Sequence, residues 1–163
     1  IHTREPRDTA KIIKTFYLKY PQYRWITFRD MRGITMKDFS KFLKDSFLSV
    51  WVDNESAFGT YPLESMSSGT PVIAKVPNMQ PVWMNEENGI WINNQNMIVD
   101  VIADFIQNWL EDNLNPKLYE EMDVTINKLS SISRGSHEMF VKYCYYLPIP
   151  PKTKAAHPRW LGE

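Results

Sequence analysis

Apolar positions along the chain change spacing from segment to segment, and those changes mark the elements. From Ala10 to Tyr20 they fall at Ile12, Ile13, Phe16, Tyr17 and Tyr20, one face of a helix that Pro21 ends. Arg24-Trp25-Ile26-Thr27-Phe28 is β-branched and aromatic, which predicts a strand. A polar loop through Gly33 leads to Thr35, a residue suited to cap a helix over Met36–Ser46 that carries Phe39, Phe42 and Leu43. The run at 48–52 predicts a buried strand, 61–68 a short helix and 71–76 a second buried strand. Pro77 and Pro81 bracket a turn, and 89–92 reads as another brief strand. Asn96 is placed to cap a helix whose Ile98, Val101, Ile102, Phe105, Ile106 and Trp109 keep 3-4 spacing. Asn115-Pro116 breaks it, and helical segments follow around 118–129 and 137–146.

Strand alternating with helix predicts an α/β fold. The expected form is a Rossmann-like, doubly wound parallel sheet over 1–147, with ligands at the C-terminal ends of the strands. From Leu147 the chain holds Pro148, Pro150, Pro151 and Pro158, so 148–163 is expected to be an extended tail. A chain of 163 residues is enough for one domain with a real core.

Charge refines this picture only locally. Lys plus Arg and Asp plus Glu both number 19, so no global field favours nucleic acid or an anionic membrane. The distribution is uneven. Residues 1–50 hold eleven basic and five acidic side chains (+6), residues 51–130 three and twelve (−9), and residues 131–163 five and two (+3). A basic first segment suits a phosphate ligand, although solvated helix faces give the same pattern. The single Cys144 excludes an internal disulfide framework. No apolar run approaches the ~18–20 residues of a membrane span, and no signal-peptide pattern is present. Asp-x-Asp, His-Glu-x-x-His and cysteine pairs are all lacking in the sequence, so no metal site is expected.

The densest chemical signal is Phe58-Gly59-Thr60-Tyr61-Pro62-Leu63-Glu64-Ser65-Met66-Ser67-Ser68-Gly69-Thr70-Pro71-Val72-Ile73-Ala74. A strand, a glycine turn and a helix start together favour an anion, because freed N–H groups and the positive helix end converge there. A glutamate one turn in is placed to accept hydrogen bonds from sugar hydroxyls. Phe58-Gly59, Leu63-Glu64, Met66 and Gly69-Thr70-Pro71-Val72-Ile73-Ala74 resemble, in order and spacing, the C-terminal half of retaining GT-B glycosyltransferases of the group 1 family.

The resemblance implies the donor-binding domain of an enzyme that moves a sugar from a nucleotide-sugar to a glycan, lipid or polysaccharide acceptor. In that family two glutamates stand with seven residues between them. The second holds the ribose hydroxyls, which assigns that role to Glu64. The first contacts the transferred sugar near the reacting centre. Counting back from Glu64 reaches Ser56, with Glu55 one residue earlier, so the catalytic candidates are Glu55 and Ser56. An Arg and a Lys between the family's first strand and first helix grip the diphosphate, which points to Arg4 and Arg7. Gly59, Thr60 and Tyr61 are expected to aim their N–H groups at the diphosphate or sugar. The loop 29–35, with Arg32 and Gly33, is expected against the base.

The resemblance further implies no cofactor beyond a UDP- or GDP-linked co-substrate, and diphosphate stabilisation by basic side chains and helix dipoles. It implies a cytoplasmic setting, at the inner membrane face through the full-length protein. The partners implied are the nucleotide-sugar, a glycan or lipid-linked acceptor and an N-terminal GT-B domain of the same protein, with no nucleic acid. Ile1-His2-Thr3-Arg4 falls where the family begins a strand, so the chain reads as one half of a longer protein. Two other readings stand beside this one: a degenerate GT-B-like domain that binds without turnover, and another Rossmann-like enzyme such as an epimerase or dehydrogenase. Against the dehydrogenase, Gly-x-Gly-x-x-Gly is absent from the sequence.

Overall fold

The computed structural model describes residues 1–53, 60–78 and 80–132. The expected helix at 137–146 and the proline-rich tail lie outside these residues. Four strands, β1 (His2–Thr3), β2 (Ser49–Val52), β3 (Val72–Lys75) and β4 (Ile90–Ile92), pair in parallel in the order β1-β2-β3-β4. Every residue of β2 is buried, as are the first three of β3. Burial of both alternating sets means that both faces of the sheet are covered, the usual state of parallel strands.

Two groups of helices supply that cover. Helix α1 (Pro6–Lys19) packs on α4 (Ile98–Leu110), and α4 packs on β3. Helix α3 (Tyr61–Ser67) packs on β2, on β3 and on α5 (Pro116–Ile132). α1 contributes buried Ile12 and Phe16, and α4 contributes Ile98, Ile102, Phe105 and Ile106. α5 offers Leu118, Met122 and Ile126, a 4-residue repeat that makes one stripe. Each such side chain, fully buried, is worth about 1.5–3 kcal/mol of transfer free energy. The core therefore follows the apolar spacing read from the sequence.

The chain enters α1 four residues earlier than the apolar face begins, because Pro6 occupies the first helical position, where a missing N–H costs nothing. α2 (Met36–Asp45) starts as expected: Thr35 Oγ1 accepts from the Asp38 amide at 3.2 Å and donates to the Asp38 carboxylate at 2.8 Å. α4 is preceded by a 3₁₀ turn over Gln95–Met97, and the capping side chain is Asn94, which accepts from the Asn96 amide at 3.0 Å. Asn96 itself does not cap α4. α3 ends in a Schellman motif, with Gly69 at φ 69°, Gly69 N–H on Met66 O and Thr70 N–H on Ser65 O.

The expected strand at 24–28 does not form. After a 3₁₀ turn at Pro21–Tyr23, Tyr23 and Ile26 are buried while Arg24, Trp25 and Thr27 are exposed, a three-residue spacing rather than the alternation of a strand. The Ile26 amide bonds Tyr23 O at 3.0 Å, closing a turn. Tyr17 Oη donates to Ile26 O at 2.5 Å, and the Tyr23 hydroxyl reaches Gln107 at 2.7 Å, so both pin the segment to the helices.

Pairing resumes a few residues later. The Ile1 nitrogen donates to Arg29 O at 2.7 Å, and the Met31 amide donates to Ile1 O at 3.0 Å, the hydrogen-bond pattern of a parallel bridge centred on Asp30. The Arg4 amide points the other way, to Val52 O at 3.3 Å. Alternate residues of a strand direct their backbone groups to opposite edges, so 29–31 lies beside β1 on the edge away from β2. The chain thus steps from β1 to one side, then crosses to β2 on the other. A reversal of this kind is compatible with a Rossmann-like sheet, in which the strand ends beside the reversal are the usual place for a ligand.

Candidate functional site

The reversal gathers four pieces of chain at the C-terminal edge of the sheet: the β1–α1 turn, residues 30–33, Asp53 after β2, and the start of α3. Arg4, its side chain 52% exposed, lies 3.9 Å from the Asp53 carboxylate, which is 11% exposed. The pair joins the ends of β1 and β2. Arg7 follows in the first turn of α1 and is exposed.

On the far side of β1, Arg32 is held by Asp30. Arg32 Nε donates to both carboxylate oxygens at 3.0 and 3.1 Å, Nη2 bonds Oδ2, and the Arg32 amide also bonds Oδ1 at 3.1 Å. This fork holds the Asp30 carboxyl below its ordinary range. Gly33 follows at φ 67°, with nothing within 4 Å of where a Cβ would stand. Its role is conformational, since a left-handed residue there turns the loop toward Thr35.

Thr60 is exposed and occupies the N-cap of α3, although its side chain makes no capping bond. Tyr61 turns inward, 6% exposed, with its ring stacked on His2 at 5.2 Å and edge-on to Phe39 at 5.6 Å. Burial pushes its phenol well above the ordinary range, so it stays neutral. Glu64 lies one turn on and is partly buried. Desolvation raises its carboxyl above the usual range, and a hydrogen bond with Thr60 partly offsets this.

Of the residues expected from the sequence, Arg4, Arg7, Arg32, Gly33, Thr60, Tyr61 and Glu64 fall on this one edge. Gly59 and the two catalytic candidates, Glu55 and Ser56, lie outside the described residues. Three further groups belong to the edge that sequence reasoning did not single out: His2, Asp30 and Asp53. Asp53 had a signal, an acid directly after a fully apolar strand. The Asp30–Arg32 fork had one too, in the i, i+2 spacing of opposite charges around a loop. His2 had none, because its neighbours come from distant sequence.

No group of His, Cys, Asp or Glu suited to hold a metal occurs among the described residues. A cavity of about 60 Å³ lies at the opposite, N-terminal edge of the sheet, among Ile1, Phe28, Leu43, Phe47, Leu48 and Ile106. It is far smaller than the ~300–1,000 Å³ of small-molecule sites and carries no charged cluster. Among the described residues no helix is long and apolar enough to cross a membrane. Comparison with protein-family models, with curated proteins and with solved structures gives no match, so geometry and chemistry at the sheet edge carry the functional argument.

Proposed function

We propose that the chain is the donor-binding domain of a metal-independent GT-B glycosyltransferase, moving a sugar from a UDP- or GDP-linked donor to a glycan or lipid-linked acceptor. The observation that carries this reading is the chain reversal at β1, which brings Arg4, the start of α3 and the partly buried Glu64 to one edge. Each group then has a task that its chemistry suits. Glu64, one turn into α3, accepts hydrogen bonds from the two ribose hydroxyls. Arg4 and Arg7 take the diphosphate oxygens, where a guanidinium binds bidentately and neutralises the charge that grows on the leaving group. Residues 30–33 line the base. Glu55 or Ser56 contacts the transferred sugar, and an N-terminal domain supplies the acceptor.

Arg4 exchanges Asp53 for phosphate in this scheme. Asp53 keeps the guanidinium at this edge before the donor arrives, so less ordering is needed on binding. Ser56, where the family has its first glutamate, favours a second reading: a degenerate domain that binds the nucleotide-sugar without transfer.

Amide perturbation mapping on the 15N-labelled chain tests the site. Added UDP or GDP is expected to shift Arg4, Asp30 to Gly33 and Thr60 to Glu64 together, with the same affinity in excess EDTA. Shifts confined to the N-terminal edge around Phe47 and Leu48 would overturn the placement. Loss of binding in EDTA would overturn metal independence. Steady-state sugar transfer by the chain alone would contradict its assignment as a binding half.

A further inference from the structure

His2 is a titratable side chain of this edge that the scheme leaves without a task. Its ring is stacked on Tyr61, with 18° between the planes, which fixes its orientation under the start of α3. His2 is half-buried: Nδ1 is enclosed with no hydrogen-bond partner, and Nε2 is the open nitrogen. An enclosed lone pair is less costly than an enclosed N–H without acceptor, so the neutral ring carries its hydrogen on Nε2. The structure therefore presents an oriented N–H donor from the first residue of β1.

Its surroundings are charged on three sides. Asp53 faces it from the end of β2, and Asp30 and Arg32 from the far neighbour of β1, with the amino group of Ile1 beside it and Tyr61 covering it from α3. Arg4 follows directly after β1, two residues on. Burial, the largest influence, holds the imidazole below its ordinary value, while the two aspartates oppose that shift. The two nearby carboxylates are themselves matched to Arg4 and Arg32. A ligand that draws the Arg4 guanidinium toward itself would leave Asp53 to stabilise a charged imidazole.

We propose that His2 is a third oxyanion-binding group of this edge, its Nε2–H joining Arg4 and Arg7 on the phosphate oxygens of a nucleoside diphosphate. The inference rests on this edge being the anion site of the reading above. Binding an oxyanion favours the imidazolium, because a charge-assisted hydrogen bond is about twice as strong as a neutral one. Affinity then rises as pH falls through the imidazole range.

The test uses the 15N-histidine-labelled chain with inorganic pyrophosphate as the probe. In the free protein His2 is expected as the Nε2–H tautomer, and saturating pyrophosphate is expected to move its titration roughly one pH unit upward. Pyrophosphate affinity of the native chain relative to His2→Gln is expected to grow roughly three- to sixfold between pH 7.5 and pH 5.5, as a one-unit shift of a lowered imidazole dictates. Taking the ratio cancels the titration of the probe itself. The titration of the native chain needs no variant, so it decides the matter even where His2→Gln folds poorly. An Nδ1–H tautomer, a His2 titration indifferent to pyrophosphate, or no pyrophosphate binding would each overturn the inference. Nucleotide binding that Glu64→Ala abolishes, with His2 unmoved, sinks the role of His2 alone. A His2 response to pyrophosphate without any nucleotide preference sinks the nucleotide-sugar reading instead.

Discussion

Glu64 is asked to do two things that conflict. Burial raises its carboxyl above the value it has in the unfolded chain, so the folded state binds more protons between those two values. Stability from this group is therefore present at low pH and lost as pH rises through the raised value. Glu64→Gln is expected to raise the thermal midpoint at pH 7 and to leave it unchanged below about pH 4, while weakening nucleotide binding. An unaltered or lowered midpoint at pH 7 would contradict the burial argument. Thr70, fully buried, illustrates the opposite case of a polar group whose bonds are satisfied. Its Oγ1 donates to Leu43 O at 2.6 Å, tying the end of α2 to the turn after α3. Thr70→Val keeps the shape and removes one of two donors on that carbonyl, which retains the Ser46 amide at 3.1 Å, with an expected loss of about 0.5–1.5 kcal/mol in urea unfolding. No measurable loss would show that the Ser46 amide alone satisfies the carbonyl. At this scale the sequence singled out Glu64 through its motif and Arg4 through its place between the first strand and the first helix. It could not disclose His2, Asp30 and Asp53 as a group, since residues fifty positions apart meet only through strand register.

Elements were legible where local chemistry and tertiary packing agree. Thr35 followed by Asp38 caps α2 as its spacing indicated, and Thr35→Ala is expected to cost about 0.5–2 kcal/mol, read as a lower unfolding midpoint with an unchanged denaturant slope. An unchanged midpoint would mean that packing of Phe39 and Leu43, not the cap, fixes the helix. The segment 24–28 shows the limit of propensity. Its residues favour a strand, but Tyr23 and Ile26 are buried while both residues between them are exposed, a spacing that fits a turn against the helices rather than the alternation of a strand. The pairing moves to 29–31, where composition is polar and gives no strand signal. That pairing has its own consequence: the Met31 amide, bonded to Ile1 O, is expected to exchange slowly with solvent despite lying outside any regular strand. Fast exchange at Met31 would remove the reversal at β1. The expected cap of α4 stands one residue off for a simpler reason, since α4 has Met97 rather than Asn96 at its N-cap and the capping side chain, Asn94, serves the 3₁₀ turn before it.

The molecule as a whole is a parallel sheet covered on both faces, and that much follows from alternation of apolar runs with helical stripes. Its functional geometry does not follow so directly. The reversal at β1 depends on two hydrogen bonds at Ile1 rather than on any long periodic segment. The charge pattern becomes meaningful only in that setting. The basic excess of residues 1–50 places Arg4, Arg7 and Arg32 at the C-terminal edge of the sheet, while Asp30 and Asp53 from either side keep two of them aligned. Preorganisation of this kind suits a diphosphate whose charge grows during transfer. The central claim is that this edge binds a nucleotide, with Glu64 on its ribose. Calorimetric titration of the chain with UDP, GDP and ADP, each repeated on Glu64→Ala, tests it most directly. Binding of one nucleotide in preference to the others, weakened at least roughly tenfold by the substitution, is the expected result, a hydrogen bond to a charged group being worth about 1.5–3 kcal/mol. Equal binding of all three that ignores Glu64, or no binding by a folded protein, would contradict it.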